Sequence, residues 1–147
     1  MAKYAKAFGM KVFYHDPFKK NKKFKKVNLR ELIEKSDVIS IHTHVNNQTK
    51  YLINKKNLKV TKKKPIIINT SRGSVVNEND LIDAYNQNLI SGFALDVFEN
   101  EPITKDLYER ITSEMNCILT PHISGVTTES NTRVSNFIVK KTIDFFK

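Results

Sequence analysis

Short apolar runs alternate with segments of helical period along this chain. Lys11–Tyr14, Asp37–His42, Pro65–Thr70, Ile90–Val97 and Cys117–Thr120 are rich in Val, Ile and Phe and are bounded by turn residues, so each predicts a short buried strand. In front of the first, Ala2, Ala5 and Ala7 with Lys3 and Lys6 predict a helix over Ala2–Phe8. Gly9 stands where a helix stops in the left-handed conformation, and Asp16-Pro17 turns the chain after the strand. Asn28 predicts a cap for the helix Leu29–Lys35, with Glu31 as its capping-box partner. Asn77 does the same for Glu78–Asn86, whose Leu81, Ile82 and Tyr85 share a face, and Thr128–Phe146 carries Val134, Phe137, Ile138 and Phe145 at near-helical spacing. Strands alternating with helices predict βαβ units and a mainly parallel sheet. No repeat or low-complexity linker divides residues 1–147, so a single α/β domain is expected.

Composition narrows this only in part. With 147 residues, 39% hydrophobic and 27% charged, the chain can build one core and is too short for two good ones. No apolar run approaches the roughly 20 residues of a membrane helix, so no membrane partner is expected. The lone Cys117 makes neither an internal disulfide nor a clustered zinc site, so no metal is expected and a cytoplasmic location is the plain expectation. The net charge of +10 comes largely from Lys19, Lys20, Lys22, Lys23, Lys25, Lys26 and Lys62–Lys64. Such runs can bind nucleic acid or anionic lipid. Only four of the 25 basic residues are Arg, however, the residue suited to bidentate phosphate contacts, so a solvated lysine loop without nucleic acid is expected.

Candidate chemistry clusters at the strand ends, where open α/β sheets bind their ligands. Asp16 ends the first strand, where a dinucleotide-binding domain places the acid for the adenosine ribose; an Asp before Pro is equally a turn residue. "INTSRGSV" runs a strand out into Thr70, Ser71 and Arg72, and an arginine there offers a planar fork for a carboxylate or a cap for stray carbonyls. "ALDVFENEP" puts Asp96, Glu99 and Glu101 at the next strand end, and "LTPHISG" puts His122 at the one after. A carboxylate beside a histidine favours imidazolium, making a general acid/base pair able to protonate a carbonyl oxygen. Each residue alone has a structural explanation; the ordered set points to one crevice.

With these motifs the chain resembles the D-isomer-specific 2-hydroxyacid dehydrogenases, which include phosphoglycerate dehydrogenases and glyoxylate/hydroxypyruvate reductases. The likeness runs from "AKAFGMKVFYHDP" through "IHTHVNNQTKYLIN", "NTSRGSVVNENDLIDA" and "GFALDVFENEP" to "TPHISGVTTES". It implies an oxidoreductase that moves hydride between NAD and the C2 of a D-2-hydroxy acid or 2-oxo acid. It implies that Arg72 binds the substrate carboxylate, that His122 is the acid/base, and that Glu101 orients it. Asp16 would hold the ribose, Thr43, Thr70, Ser71 and Arg72 would line the cofactor, Asp96 would face the nicotinamide carboxamide, and the stretch from His122 through Ser124 to Gly125 would close over the ring. Where the family has proline after His-Thr this chain has His44, which reads as a loop substitution rather than a ligand.

The resemblance also implies a strand and a G-x-G-x-x-G turn ahead of Ala2–Phe8, gripping the cofactor pyrophosphate. The four glycines, Gly9, Gly73, Gly92 and Gly125, form no such motif. The fold expected is therefore a partial Rossmann-like, doubly wound parallel sheet without its first strand and glycine-rich turn, and without the substrate-binding domain. In the order 3-2-1-4-5-6, that leaves Lys11–Tyr14 and Pro65–Thr70 flanking a gap. An isolated domain of this kind is expected to be inactive. A second copy or a complementing N-terminal half is then a candidate partner, with a small 2-hydroxy or 2-oxo acid as substrate of the complete enzyme. The alternative is a non-catalytic remnant or binding module that keeps the fold.

Overall fold

In the computed structural model, which describes residues 1–112 and 115–146, the chain opens on helix α1 (Ala2–Ala7). Gly9, at φ +79°, turns it toward β1 (Phe13–Tyr14), which pairs in parallel with β2 (Lys25–Lys26) as a two-stranded ribbon. There follow α2 (Leu29–Lys35), β3 (Val38–Ile41), α3 (Lys55–Leu58), β4 (Ile66–Asn69), α4 (Glu78–Asn86), β5 (Gly92–Leu95), α5 (Lys105–Thr112), β6 (Cys117–Leu119) and α6 (Thr128–Phe145). The last four strands make one parallel sheet in the order β3-β4-β5-β6. This is the α/β architecture that the alternating pattern predicts.

Local signals explain most element starts. Asn28, Asn54, Asn77 and Thr127 each accept a backbone N–H three residues on, capping α2, α3, α4 and α6. The capping box expected at α2 does not close: the Glu31 carboxylate turns outward to Lys35 Nζ at 2.8 Å instead. A lysine one helical turn from the acid, with Lys25 of β2 4.0 Å away on its other side, offers a better partner in solvent than a single backbone N–H.

The register sorts the sheet into two unlike faces. Ile39, Ile67 and Phe93 form one buried row, and Ile41, Asn69 and Leu95 form the next. Ile33 of α2, Leu58 of α3, Leu81 of α4 and Ile111 of α5 join them in one core cluster. The opposite face carries Val38, Ile66 and Ile118, which remain 43%, 37% and 67% exposed. Helices α1 and α6 bury no residue, so Phe137, Ile138 and Phe145 present an apolar stripe to solvent. The strands are thus half-buried rather than enclosed on both sides. Among the described residues no helix is long and apolar enough to cross a membrane.

The gap lies elsewhere than the sequence order suggested. Pro65–Thr70 is no edge: its strand β4 pairs with β3 on one side and β5 on the other. The open edges belong to β1, paired only with β2, and to β3, paired only with β4. The reason is β2, two exposed lysines within the basic run, which carry no hydrophobic signal. Counting it makes β3 the fourth strand. The basic run itself is partly engaged: Lys26 Nζ donates to the Lys19 carbonyl at 3.2 Å, and Lys25 sits over the Phe13 ring.

One close approach joins the loops after β4 and β5. A Cβ added to Gly73 would lie 1.9 Å from the Phe98 carbonyl carbon and 2.3 Å from the Glu99 nitrogen. Because those neighbours are backbone, Gly73→Ala forces the loops apart, and it is expected to destabilise the fold by at least about 2 kcal/mol. A urea midpoint equal to that of the parent chain would refute this close packing.

Candidate active site

The carboxyl ends of β3 to β6 release four loops side by side, and each is fixed by a buried polar residue or a turn. After β4, Asn69 is fully buried. Its Oδ1 accepts the Ser71 N–H at 3.0 Å and the Ser71 hydroxyl at 2.8 Å, while its Nδ2 donates to the Arg72 carbonyl at 3.0 Å. That short loop projects Arg72 into solvent, where its Nη1 reaches only the Ser71 carbonyl at 2.6 Å. A 3₁₀ turn, Gly73–Val75, then seats the chain under the next loop.

After β5 the backbone at Phe98 and Glu99 is clamped from two sides. The Phe98 N–H donates to Glu101 Oε1 at 2.9 Å, and the Glu99 N–H donates to Glu78 Oε1 at 2.7 Å. Glu78 lies in the first turn of α4 and is buried, which pushes its carboxyl up; the Glu99 N–H works against this, and the charges of Glu99 and Glu101 add to it. The Glu99 carboxylate accepts the Tyr51 hydroxyl in turn, a bond that raises the phenol. Glu101, followed by a cis bond to Pro102, keeps its second oxygen free for a partner in the loop after β6.

That partner is His122. Its Nδ1 stands 2.8 Å from Glu101 Oε2. The bond to His122, followed by that to Phe98, holds the Glu101 carboxyl below its ordinary value. An ionised carboxylate only accepts, so Nδ1 carries the proton and the opposite ring nitrogen faces outward. His122 adopts φ +55°, a left-handed conformation that a bulky residue rarely takes, and its N–H closes a tight turn on the Thr120 carbonyl at 3.0 Å. Asp96 over-determines this turn. Buried at the end of β5, it accepts the Thr120 hydroxyl at 2.5 Å and the N–H groups of Ile123 at 2.9 Å and Ser124 at 3.0 Å. Burial pushes the Asp96 carboxyl up, but these bonds outweigh it and hold it well below the usual carboxylate range.

Arg72, Glu101 and His122 therefore meet around one open cavity of about 480 Å³, joined by Glu99 and His44. The other candidates lie at the same ends of the strands but outside this cavity: Thr43 after β3, Thr70 and Ser71 after β4, Asp96 after β5, Ser124 and Gly125 after β6. Asp16 stands apart at the end of β1. Its Oδ1 accepts the N–H groups of Lys19 and Phe18, each at 2.9 Å, which lowers its carboxyl, so it is the turn residue that the Asp-Pro pair suggests. Its Oδ2 makes no hydrogen bond among the described residues, which leaves an acceptor for a ribose hydroxyl. Asn69, Gly73 and Glu78 were not legible as site residues, since each acts through backbone it touches. His44 carried a signal, an imidazole in place of proline, but nothing in the sequence aimed it at the cavity.

Comparison with known proteins fits this geometry. The family described as "D-isomer specific 2-hydroxyacid dehydrogenase, NAD binding domain" matches residues 1–124. A hydroxypyruvate reductase of Blautia hydrogenotrophica is 38% identical over 99% of this chain and 46% of its own length. A glyoxylate reductase of Thermococcus litoralis is 38% identical over all of this chain and 45% of its own. The crystal structure of a D-lactate dehydrogenase from Aquifex aeolicus, complexed with NAD and lactic acid, superposes with a TM-score of 0.84 at 35% identity, covering 99% of this chain and 49% of that one. The chain spans about half the length of the relatives it matches. Its parallel sheet is Rossmann-like, and the chain belongs to the D-isomer-specific 2-hydroxyacid dehydrogenase family, in its NAD-binding domain.

Proposed function

We propose that this domain serves an oxidoreductase that interconverts a small D-2-hydroxy acid and the corresponding 2-oxo acid, with the chemistry carried by Arg72, Glu101 and His122. The observation behind this is the His122–Glu101 pair at 2.8 Å, facing the same cavity as Arg72. Bound NADH would supply a hydride to the substrate C2. The protein's part is then to hold the carboxylate on the Arg72 fork, to polarise the C2 carbonyl, and to deliver a proton from the outward nitrogen of His122 to the carbonyl oxygen. In oxidation the same nitrogen takes the hydroxyl proton back. Glu101 fixes the ring's tautomer and supports the imidazolium that results.

The residues fit part of the cofactor. Asp16 has an acceptor for a ribose hydroxyl, while Asp96 and the Thr120–Ser124 turn form a rigid floor where the nicotinamide end would lie. A carboxylate at Asp16 repels a 2′-phosphate, so in the complete enzyme NAD should outperform NADP in kcat/KM. Equal values for the two would remove Asp16 from the ribose.

The pyrophosphate has no G-x-G-x-x-G turn in this sequence. The open edges of β1 and β3 and the uncovered sheet face favour a second reading, a domain without turnover of its own until a partner supplies a strand, whether a complementing half or a second copy. Residues 1–147 alone should accordingly bind NAD weakly or not at all by calorimetry, and self-associate. A monomer with one cooperative urea transition and micromolar NAD affinity would overturn that reading.

Where the front half is supplied, replacing His122 should lower kcat by about 10²–10⁴-fold. Arg72→Lys should also impair the enzyme, because a point charge cannot replace a bidentate fork. The depressed Glu101 carboxyl stays ionised through the neutral range, so Glu101→Gln removes a negative charge beside the ring and should move the neutral limb of the pH–rate profile to lower pH. A profile unchanged in that variant would break the assigned pairing.

A further inference from the structure

We propose that His44 is a substrate ligand that shares with Arg72 the carboxylate of a small 2-oxo or 2-hydroxy acid. The inference rests on the reading that this cavity takes such an acid, and it adds a residue to the substrate side that the catalytic trio leaves out.

The first support is position. The loops follow the strand order β3-β4-β5-β6, so His44 and Arg72 each stand three residues beyond the ends of adjacent strands, β3 and β4, and both line the cavity. His122, after β6, lies on the far side. An acid whose carboxylate rests on Arg72 and whose carbonyl points toward His122 would keep carboxylate lone pairs open to a second donor, the role proposed for His44.

The second support is the pairing of charges. The cavity holds two carboxylates, Glu99 and Glu101, and four side chains able to donate, His44, Arg72, Ser74 and His122. Glu101 is committed to His122 and the Phe98 N–H, and Glu99 to Tyr51. Arg72 spends one donor on the Ser71 carbonyl, leaving the rest of its fork open. Among the described residues, the His44 ring makes no hydrogen bond. Among the described residues, the donors left open in the cavity thus include the Arg72 fork, the His44 imidazole and the Ser74 hydroxyl, a donor set that matches an anion.

The third support is that the His44 loop is built. Its carbonyl accepts the Thr49 hydroxyl at 2.6 Å, the Asn46 N–H donates to that same hydroxyl at 2.8 Å, and Asn46 Oδ1 accepts the N–H groups of Gln48 at 2.8 Å and Thr49 at 3.0 Å. This closed Asx turn fixes the backbone from which the ring projects. Proline at this position would offer the cavity no side-chain donor there.

The test is a titration of isotope-labelled residues 1–147 with oxalate, a two-carbon dianion with no reducible carbonyl, at constant ionic strength, read by NMR at the His44 ring and the Arg72 guanidinium. Both signals should saturate with one dissociation constant. His44→Ala should weaken binding by about 10-fold, the weight of a hydrogen bond to a charged group, while His44→Asn, which keeps a donor, should recover part of it. If Arg72→Ala abolishes binding while His44→Ala binds like the parent, His44 is no ligand and only this inference fails. If Arg72→Ala leaves binding intact, the assignment of Arg72 to the carboxylate fails first. An undispersed spectrum of the parent chain would remove the cavity and the inference with it. In the enzyme completed by its front half, His44→Ala should raise KM about 10-fold with kcat nearly unchanged; an unchanged KM would equally overturn the proposal.

Discussion

The fold has room for no side chain between Gly73 and the Phe98–Glu99 backbone, and the candidate site depends on that contact. It brings the loop carrying Arg72 under the loop carrying Glu101, so two residues from separate strands share a wall. The same backbone is then pinned by the buried Glu78 carboxylate from below and by Glu101 itself from within the loop. Glu101 therefore has one oxygen occupied in holding its own loop and one left to aim at His122. A rigid support behind the candidate acid/base pair is what converts a hydrogen bond into positioning.

Against this tight end of the sheet stands a loose remainder. One face is covered by α2 to α5 and supplies the whole core cluster; the other exposes Val38, Ile66 and Ile118, with α1 and α6 burying nothing. A parallel sheet is stable when both faces are covered and its inner edges are paired. Here neither condition is met on the β1 side. The β1 side, where α1, β1 and β2 bury no residue, is thus the loosely held side of the described residues, while the loops after β4, β5 and β6 are the best fixed. The division falls between β1 and β3.

The sequence showed most of this where residues carry their own signal. Ile-rich strands, Asn caps and the Arg72, Glu101 and His122 motifs are local patterns, and from them the five apolar strands, α1, α2, α4, α6 and the trio's place at the strand ends were legible. The short helices α3 and α5 were not expected, and two further kinds of feature were not legible. β2 is made of two lysines, whose strand character comes from pairing with β1 rather than from apolarity, and missing it misplaced the open edge by one strand. Asn69, Glu78 and Gly73 act on backbone distant in sequence: Glu78 reaches across 21 residues to Glu99, and Gly73 is needed because of a carbonyl 25 positions away. Asp96 shows the same limit, since its three bonds to the Thr120–Ser124 turn exist only once β5 and β6 are adjacent.

The acids at the end of β5 show how one short stretch divides its labour. Asp96, Glu99 and Glu101 lie within six residues, with Glu78 packed beneath, and four carboxylates so close would repel one another if left unpaired. Each instead has its own donors. Asp96 takes the turn after β6, Glu99 takes Tyr51, and Glu78, its carboxyl raised by burial, takes the Glu99 N–H, which works against that rise. Of the four, Glu101 is the one that bonds His122, through the oxygen its own loop leaves free. The specificity of the pair follows from the other three acids being satisfied elsewhere, and a change at Asp96 or Glu78 would reach the pair through the backbone they hold.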